Sequence, residues 1–135
     1  MPAPQANSSL NATQQRIRDL LAAAARPLSA YDIIDALRDQ TRMAPPTVYR
    51  ALDKLIETGL AHRLETRNAY VACRQGAHAC GHGAGFMICR ACGKAQEFGD
   101  EAIEALLGQT AARTGFSAER VAIEIQGLCS ECLGA

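Results

Sequence analysis

The chain has 135 residues, and its 14 basic and 14 acidic side chains give a formal net charge of zero. That length suffices for one ordinary domain or two small ones. No apolar run approaches the roughly 18 residues of a membrane span, and the N-terminus lacks the basic and apolar blocks of a signal peptide. Six cysteines without an export signal predict a cytoplasmic protein that contacts no membrane, because cytoplasmic thiols stay reduced.

The charges are unevenly distributed along the chain. Residues 1–76 carry ten Lys and Arg against seven Asp and Glu, whereas residues 77–135 carry four against seven. This asymmetry indicates two parts with different roles, the first of which faces an anion.

Three short helices are predicted in the first part. Residues 1–11 are rich in Pro, Ser and Asn and are expected to form a loose arm. Apolar residues at a helical period predict a helix over residues 13–25. The capping box Ser29-Ala30-Tyr31-Asp32 begins a second helix. Pro45-Pro46 begins a third, because proline suits a first turn, and Gly59 ends it.

Two short strands follow, over residues 60–65 and 69–73, around the turn Thr66-Arg67-Asn68. Three helices and a hairpin form the winged helix-turn-helix arrangement, in which the third helix enters the DNA major groove and the wing touches the backbone. The alternative is a helical packing module with an ordinary charged face. Side chains able to contact bases or phosphates lie on the predicted solvent side of the third helix and on the wing: Thr47, Tyr49, Arg50, Lys54, Arg63 and Arg67.

A connector rich in Gly, Ala and His covers residues 75–85 and separates a DNA-binding domain, residues 1–74, from a second domain, residues 86–135. Strands are predicted over residues 86–88 and 94–98, and a half-buried strand over residues 120–126. Between them lies an amphipathic helix, residues 100–114, whose predicted inward side chains are Ile103, Leu106 and Leu107.

This predicts an α+β fold, with a winged helix-turn-helix domain followed by a small α/β dimerisation domain. A three-stranded sheet of that size leaves an edge and an apolar face, both of which a second copy would cover. We therefore expect a homodimer.

Two C-x2-C couplets, Cys89/Cys92 and Cys129/Cys132, flank the second domain with 36 residues between them. Two thiolates on a tight turn can reach one metal ion, and two such turns complete the tetrahedral four-sulfur shell of a structural Zn²⁺ site. The alternatives are a redox dithiol, as in a thiol-based redox sensor, or two disulfides. No catalytic constellation is evident, so we expect a non-enzyme.

The motifs together are specific. Ser29-Ala30-Tyr31-Asp32, then PPTVYRAL at residues 45–52, then the two couplets resemble the ferric uptake regulator superfamily, in particular its zinc uptake regulator branch, over residues 13–133. The resemblance implies a zinc-responsive transcriptional repressor. Zn²⁺ at an inter-domain site would favour the dimer conformation that binds palindromic operator DNA of zinc-uptake genes.

The resemblance also implies a second, sensing Zn²⁺ in each chain, held by His62, Cys73, His82 and Glu97, which match this branch's ligand positions. His78 and Cys80, in the same connector, are alternative ligands. Relatives that sense iron or peroxide typically carry more histidines in a clustered run, whereas this chain has three histidines. A regulator of that kind remains the alternative function.

Three further positions match residues with known roles in this branch. Tyr31, like Arg50, matches a position that contacts DNA. Asp35 and Arg38 match a pair that links neighbouring dimers, which implies that two dimers can occupy one operator. Their spacing also permits a salt bridge within one chain instead.

Overall fold

The computed structural model describes residues 10–73, 85–119 and 121–134. The chain divides into two compact units, Met1–His78 and Ala79–Ala135. The predicted connector lies outside the described residues, except that Gly85 begins a strand. In the first unit the elements are α1 (Ala12–Ala23), α2 (Ala30–Ala36), α3 (Pro45–Glu57), β1 (Ala61–Leu64) and β2 (Ala69–Ala72).

Helix α1 begins one residue earlier than predicted. The Asn11 side chain accepts a hydrogen bond from the Gln14 backbone N–H, 2.8 Å, and the Gln14 side chain accepts one from the Asn11 N–H, 3.0 Å. This is a capping box, Asn in the first position and Gln in the fourth. Leu10 packs against the core. The loose arm predicted over residues 1–11 therefore does not extend to Leu10 and Asn11.

The other two helix starts are confirmed. Ser29 and Asp32 form the predicted capping box, with hydrogen bonds of 3.0 and 3.1 Å. The two prolines occupy the first turn of α3. All three helices turn their apolar stripes inward to one core, whose largest fully buried side chains include Ile17, Ile33, Val48, Leu52 and Leu55.

The wing is a two-stranded antiparallel hairpin that is fixed to the helices at its base. Ala61 pairs with Ala72, and Arg63 with Tyr70. Leu28 adds a third, single-residue strand: it donates to the Tyr70 carbonyl, 3.0 Å, and accepts from the Tyr70 N–H, 2.8 Å. The Tyr70 ring is buried in the core. The first unit is thus the predicted winged helix-turn-helix.

The second unit contains a three-stranded sheet with the order β4-β3-β5. Strand β3 pairs antiparallel with β4 and parallel with β5. A parallel pair needs a crossover connection, which α4 supplies. The elements are β3 (Gly85–Cys89), β4 (Ala95–Phe98), α4 (Glu101–Arg113), β5 (Ile123–Gly127) and a short α5 (Ser130–Leu133).

The apolar stripe of α4 is exposed, contrary to the prediction, whereas the exposed Ile125 on β5 agrees with the apolar sheet face that was expected to stay uncovered. Ile103 and Leu106 were expected to point inward but are 37% and 59% exposed, and Leu107 is half-buried. Ile125 of β5 is 52% exposed, and the strand begins at Ile123 instead of residue 120. The period of a helix or strand identifies its apolar face, but another element must be present to bury it.

Gly85 lies directly beneath an aromatic ring. It is paired with Phe98 across β3 and β4, and a Cβ atom at Gly85 would lie only 2.3 to 2.7 Å from three ring carbons of Phe98. Glycine at this position therefore lets the ring cover the strand. None of the helices in the described ranges is long and apolar enough to cross a bilayer.

Replacing Gly85 with alanine should destabilise the second unit, because the new methyl group displaces the Phe98 ring. We expect a loss of about 1–2 kcal/mol in the free energy of unfolding, as for other overpacked sites. Chemical denaturation at fixed protein and zinc concentrations measures it. Gly99→Ala is the matched control, since a Cβ there meets no atom within 4 Å. Equal stability of the two variants would contradict this packing.

Candidate metal centre and DNA-contact surface

The four couplet cysteines meet at one end of the second unit's sheet. Cys89 is the last residue of β3 and is paired with Gly127, the last residue of β5. The first couplet turn follows β3, and the second lies where β5 runs into α5, whose N-cap is Cys129. Parallel pairing of β3 with β5 therefore brings together two couplets that are far apart in sequence.

Local hydrogen bonds shape both turns. Gly93 has φ +79°, a conformation that favours glycine, and its N–H donates to the Cys89 carbonyl, 3.0 Å. Arg90 N–H donates to the Gly127 carbonyl, 2.9 Å, which joins the first turn to the second. In the second couplet, the Cys132 N–H donates to the Cys129 carbonyl, 3.1 Å.

The sulfur positions fit a tetrahedral metal. The four Sγ atoms all lie within 4.8 Å of one another. Cys92 Sγ is 3.9 Å from Cys129 Sγ. Four ligands at a Zn–S distance of about 2.3 Å would lie about 3.8 Å from one another in a regular tetrahedron. All four are free thiols. The predicted cluster of Cys89, Cys92, Cys129 and Cys132 thus could hold one zinc ion.

The thiols do not share one ionisation behaviour. The backbone N–H groups of Cys92 and Cys129 hydrogen-bond to the Cys89 sulfur and lower its pKa to about 6. The pKa of Cys132 is raised to about 12, chiefly by hydrogen bonds with the Cys129 and Cys89 side chains. One sulfur is thus prepared as a thiolate, and a metal must displace a proton from Cys132, as is usual for thiol ligands.

The predicted sensing ligands lie on both units. In the first, His62 is half-buried on β1, and Cys73 follows β2. The Cys73 N–H donates to the Leu60 carbonyl, 2.9 Å, and its sulfur is disulfide-bonded. In the second, Glu97 is half-buried on β4 and is paired with Phe86. His82 and the alternative ligands His78 and Cys80 lie outside the described residues.

Helix α3 separates a buried face from a polar one. Val48, Leu52 and Leu55 are fully buried, and Thr47 and Arg50 are exposed on the opposite face. Lys54 is half-buried in the last turn. Tyr49 is also only half-exposed because it packs against the core. The exposed face therefore carries donors suited to bases and phosphates.

The wing presents two exposed arginines, Arg63 on β1 and Arg67 in the turn. Arg63 Nη2 donates to Asn68 Oδ1, 3.0 Å. Asn68 has φ +48°, the left-handed region that asparagine tolerates better than most residues. Sequence reasoning treated Asn68 only as a turn residue. Its residue type was the available signal, because Asn is favoured where φ is positive.

Three predicted contact residues lie on or just after α2. The side chain of Tyr31 is 64% exposed. Arg38 Nη2 and Asp35 Oδ1 form an exposed ion pair of 2.6 Å within the chain. An exposed pair of this kind contributes little stability, so both side chains can exchange partners at low cost.

Comparison with known proteins agrees with this architecture. Residues 7–126 match the model of the ferric uptake regulator family. The chain is 37% identical to the zinc uptake regulation protein of Escherichia coli (strain K12) over 130 residues, which cover 96% of this chain and 75% of that protein. It is 34% identical to a zinc uptake regulation protein of Mycobacterium tuberculosis over 108 residues, 77% of this chain and 78% of that one.

Solved structures give the same result. A zinc uptake regulator complexed with zinc and DNA superposes with a TM-score of 0.89 at 36% identity, covering 95% of this chain and 85% of that one. Holo XcZur superposes with a TM-score of 0.85 at 37% identity, covering 93% and 87%. The chain therefore belongs to the ferric uptake regulator family and to its zinc uptake regulator branch, as its motifs predicted.

Proposed function

We propose that this protein is a zinc-responsive transcriptional repressor that binds operator DNA. The observation that carries the proposal is the presence, in one chain, of a winged helix with a polar recognition face and a four-sulfur cluster of zinc dimensions. Relatives named for zinc uptake regulation, one of them solved with zinc and DNA, support it. We assign it no enzymatic reaction and expect it to act in the cytoplasm.

The first zinc ion is structural and is held by Cys89, Cys92, Cys129 and Cys132. A shell of four thiolates leaves no open position for substrate or solvent. Few side chains are buried in the described part of the second unit, and bound metal would join the two turns that end β3 and β5. This zinc should therefore remain bound at every physiological zinc level.

A second zinc is the signal. Its proposed ligands are His62, Cys73, His82 and Glu97, with His78 and Cys80 as alternatives. One sulfur, two imidazoles and a carboxylate suit Zn²⁺. Cys73 can serve only as a thiolate, so zinc binding requires that the cytoplasmic thiol pool first reduce its disulfide by two electrons. Because His62 and Cys73 belong to the DNA-binding unit and Glu97 to the other unit, zinc binding would restrict their relative orientation.

Zinc would act by shifting a conformational equilibrium. A repressor dimer must offer both recognition helices to successive major-groove turns, about 34 Å apart. If zinc binds this arrangement more tightly than the others, zinc increases the fraction of dimers that adopt it. The linkage is reciprocal, so operator DNA should raise the affinity for the second zinc by the factor by which zinc raises DNA affinity.

Dimerisation would cover the exposed apolar surface of the second unit. Strand β5 lies at the edge of the sheet. Met87, Ile125 and Leu128 line one open groove beside it, and α4 presents Ile103 and Leu106. A second copy buries both surfaces and satisfies the open strand edge.

Two dimers on one operator would contact each other through α2. Asp35 and Arg38 are exposed and already paired within the chain. Exchange of these partners between neighbouring dimers would keep each charge paired while joining the dimers. DNA contacts would come from Tyr31, Thr47, Tyr49, Arg50 and Lys54, and on the wing from Arg63 and Arg67.

Cys132→Ser should remove the structural zinc, because serine is a poor replacement for a thiolate. Structural zinc in small domains contributes about 10–16 kcal/mol of apparent binding energy, so the second unit should unfold. Zinc content after mild chelation and the circular dichroism spectrum measure both effects. Cys73→Ser is the matched control and should retain one chelation-resistant zinc per chain. Loss of the chelation-resistant zinc from both variants, or its retention in both, would contradict the assignment.

Glu97→Gln should weaken the sensing site and leave the structural one intact. Replacing a residue that only hydrogen-bonds to a metal ligand typically lowers metal affinity about 10–100-fold. Removing the charge of a ligand itself should therefore raise the zinc concentration needed for DNA binding at least about tenfold. The measurement is a gel shift in buffered zinc under reducing conditions, with a duplex that the zinc-loaded protein selected from a random pool.

Glu119→Gln provides the control for Glu97→Gln. It removes the same charge from an exposed position in the same unit and should leave the zinc requirement unchanged. If Glu97→Gln and Glu119→Gln bind DNA at the same zinc level as the unaltered protein, Glu97 is not a sensing ligand.

A further inference from the structure

We propose that Asn68 is a positioning residue for the wing, which orients the Arg63 guanidinium toward a DNA phosphate while leaving its charge uncompensated. The inference rests on the proposed DNA-binding function and deepens it. It assigns a role to a residue that makes no direct DNA contact in that proposal.

The first observation is the hydrogen bond between the two side chains. Arg63 Nη2 donates to Asn68 Oδ1 over 3.0 Å, and both side chains are exposed. Among the residues that the structure describes, this amide is the one hydrogen-bond partner of Arg63. A guanidinium has five N–H donors, so four stay available to a phosphate after this bond forms.

The second observation is the backbone of Asn68. Of the described residues other than glycine, it alone has a positive φ, +48°. It occupies the last position of the turn, directly before Ala69, which pairs with Leu64. The left-handed conformation closes the hairpin, and the side chain that asparagine brings to this position reaches back to Arg63. Glycine would allow the same turn but would lack the acceptor.

The third observation is the rigid base on which Arg63 stands. Arg63 is paired across the wing with Tyr70, whose backbone forms two hydrogen bonds with Leu28 and whose ring is buried in the core. The backbone of Arg63 is thereby held in place relative to α3. Only the long, flexible side chain remains to be ordered, and the Asn68 amide orders it.

The chemistry of the acceptor decides how the pair functions. A carboxylate at residue 68 would also hold the guanidinium, but it would neutralise the charge and repel phosphate. An amide is a neutral acceptor, so it orients the cation without cancelling its charge. Ordering a long side chain before binding lowers the entropy cost of the contact.

The test compares Asn68→Gly with Asn68→Asp in DNA binding at saturating zinc. The probe is a duplex that the zinc-loaded protein selected from a random pool. Asn68→Gly keeps the turn and removes the acceptor, so DNA affinity should fall about three- to tenfold, the range expected for one side chain that is no longer pre-ordered. Asn68→Asp should bind DNA more weakly still, with unchanged zinc content and thermal stability. A purely structural role would not separate stability from DNA affinity in this way.

A double-mutant cycle shows whether Asn68 acts through Arg63. Arg63→Ala should reduce DNA affinity. The slope of log affinity against log salt concentration should also become shallower by about one, the value expected for the loss of one phosphate contact. In the Arg63→Ala background, Asn68→Gly should have no further effect, because coupled residues are not additive. Equal effects of Asn68→Gly with and without Arg63 would overturn the proposal, as would wild-type affinity of Asn68→Gly.

Two controls separate this inference from the proposed function. If the unaltered protein binds DNA with zinc and Arg50→Ala abolishes binding, the repressor proposal stands whatever Asn68 does. If no zinc-dependent DNA binding occurs, both proposals fail. Relaxation of the Arg63 Nε–H by NMR tests the orienting role without DNA: the group should be ordered in the unaltered protein and mobile in Asn68→Gly. Equal mobility in both would overturn it.

Discussion

The two units differ in how much of their stability a single chain can supply. Of the buried apolar side chains in the described residues, thirteen lie in the first unit and three in the second, all three on β3. Burying an aliphatic or aromatic side chain contributes about 1.5–3 kcal/mol, so the winged helix can fold on its own core. The described part of the second unit buries too few side chains for that, so bound metal and a partner chain would have to supply the remaining stability.

That limitation explains the placement of the metal cluster and of the exposed apolar surface. The four sulfurs lie where the turn after β3 meets the end of β5, and a metal ion bound there would link these two elements. The exposed faces of α4 and β5 would be completed by a second copy. A unit that gains stability from bound zinc and from a partner chain is suited to a dimer core.

Local sequence features predicted the elements well, because their causes are local. The Ser29 capping box and the Pro45-Pro46 start each act within one helical turn. The Asn11 cap had an equally local signal in Gln14. What the sequence could not reveal was the environment of a face: the period of α4 identified Ile103 and Leu106 as one stripe but not what covers it. Gly85 beneath Phe98 depends on strand register, which a single sequence does not specify.

The two proposed metal sites also differ in how far their sequence signals are local. Paired C-x2-C spacing identified the four-sulfur cluster directly, since each couplet is a local motif. His62, Cys73, His82 and Glu97 are scattered along the chain, and only the family resemblance joined them into one set. The Arg63–Asn68 pair was not predicted, because a hydrogen bond across a turn requires the backbone conformation of Asn68 to be known.

The central claim is that one zinc per chain maintains the fold and a second controls DNA binding. Zinc stoichiometry and operator affinity, measured together across a buffered zinc series under reducing conditions, test it directly. We predict that the first zinc stays bound throughout and that DNA affinity rises only as the second binds. DNA affinity that follows the first zinc, or that stays constant while the second binds, would contradict the account.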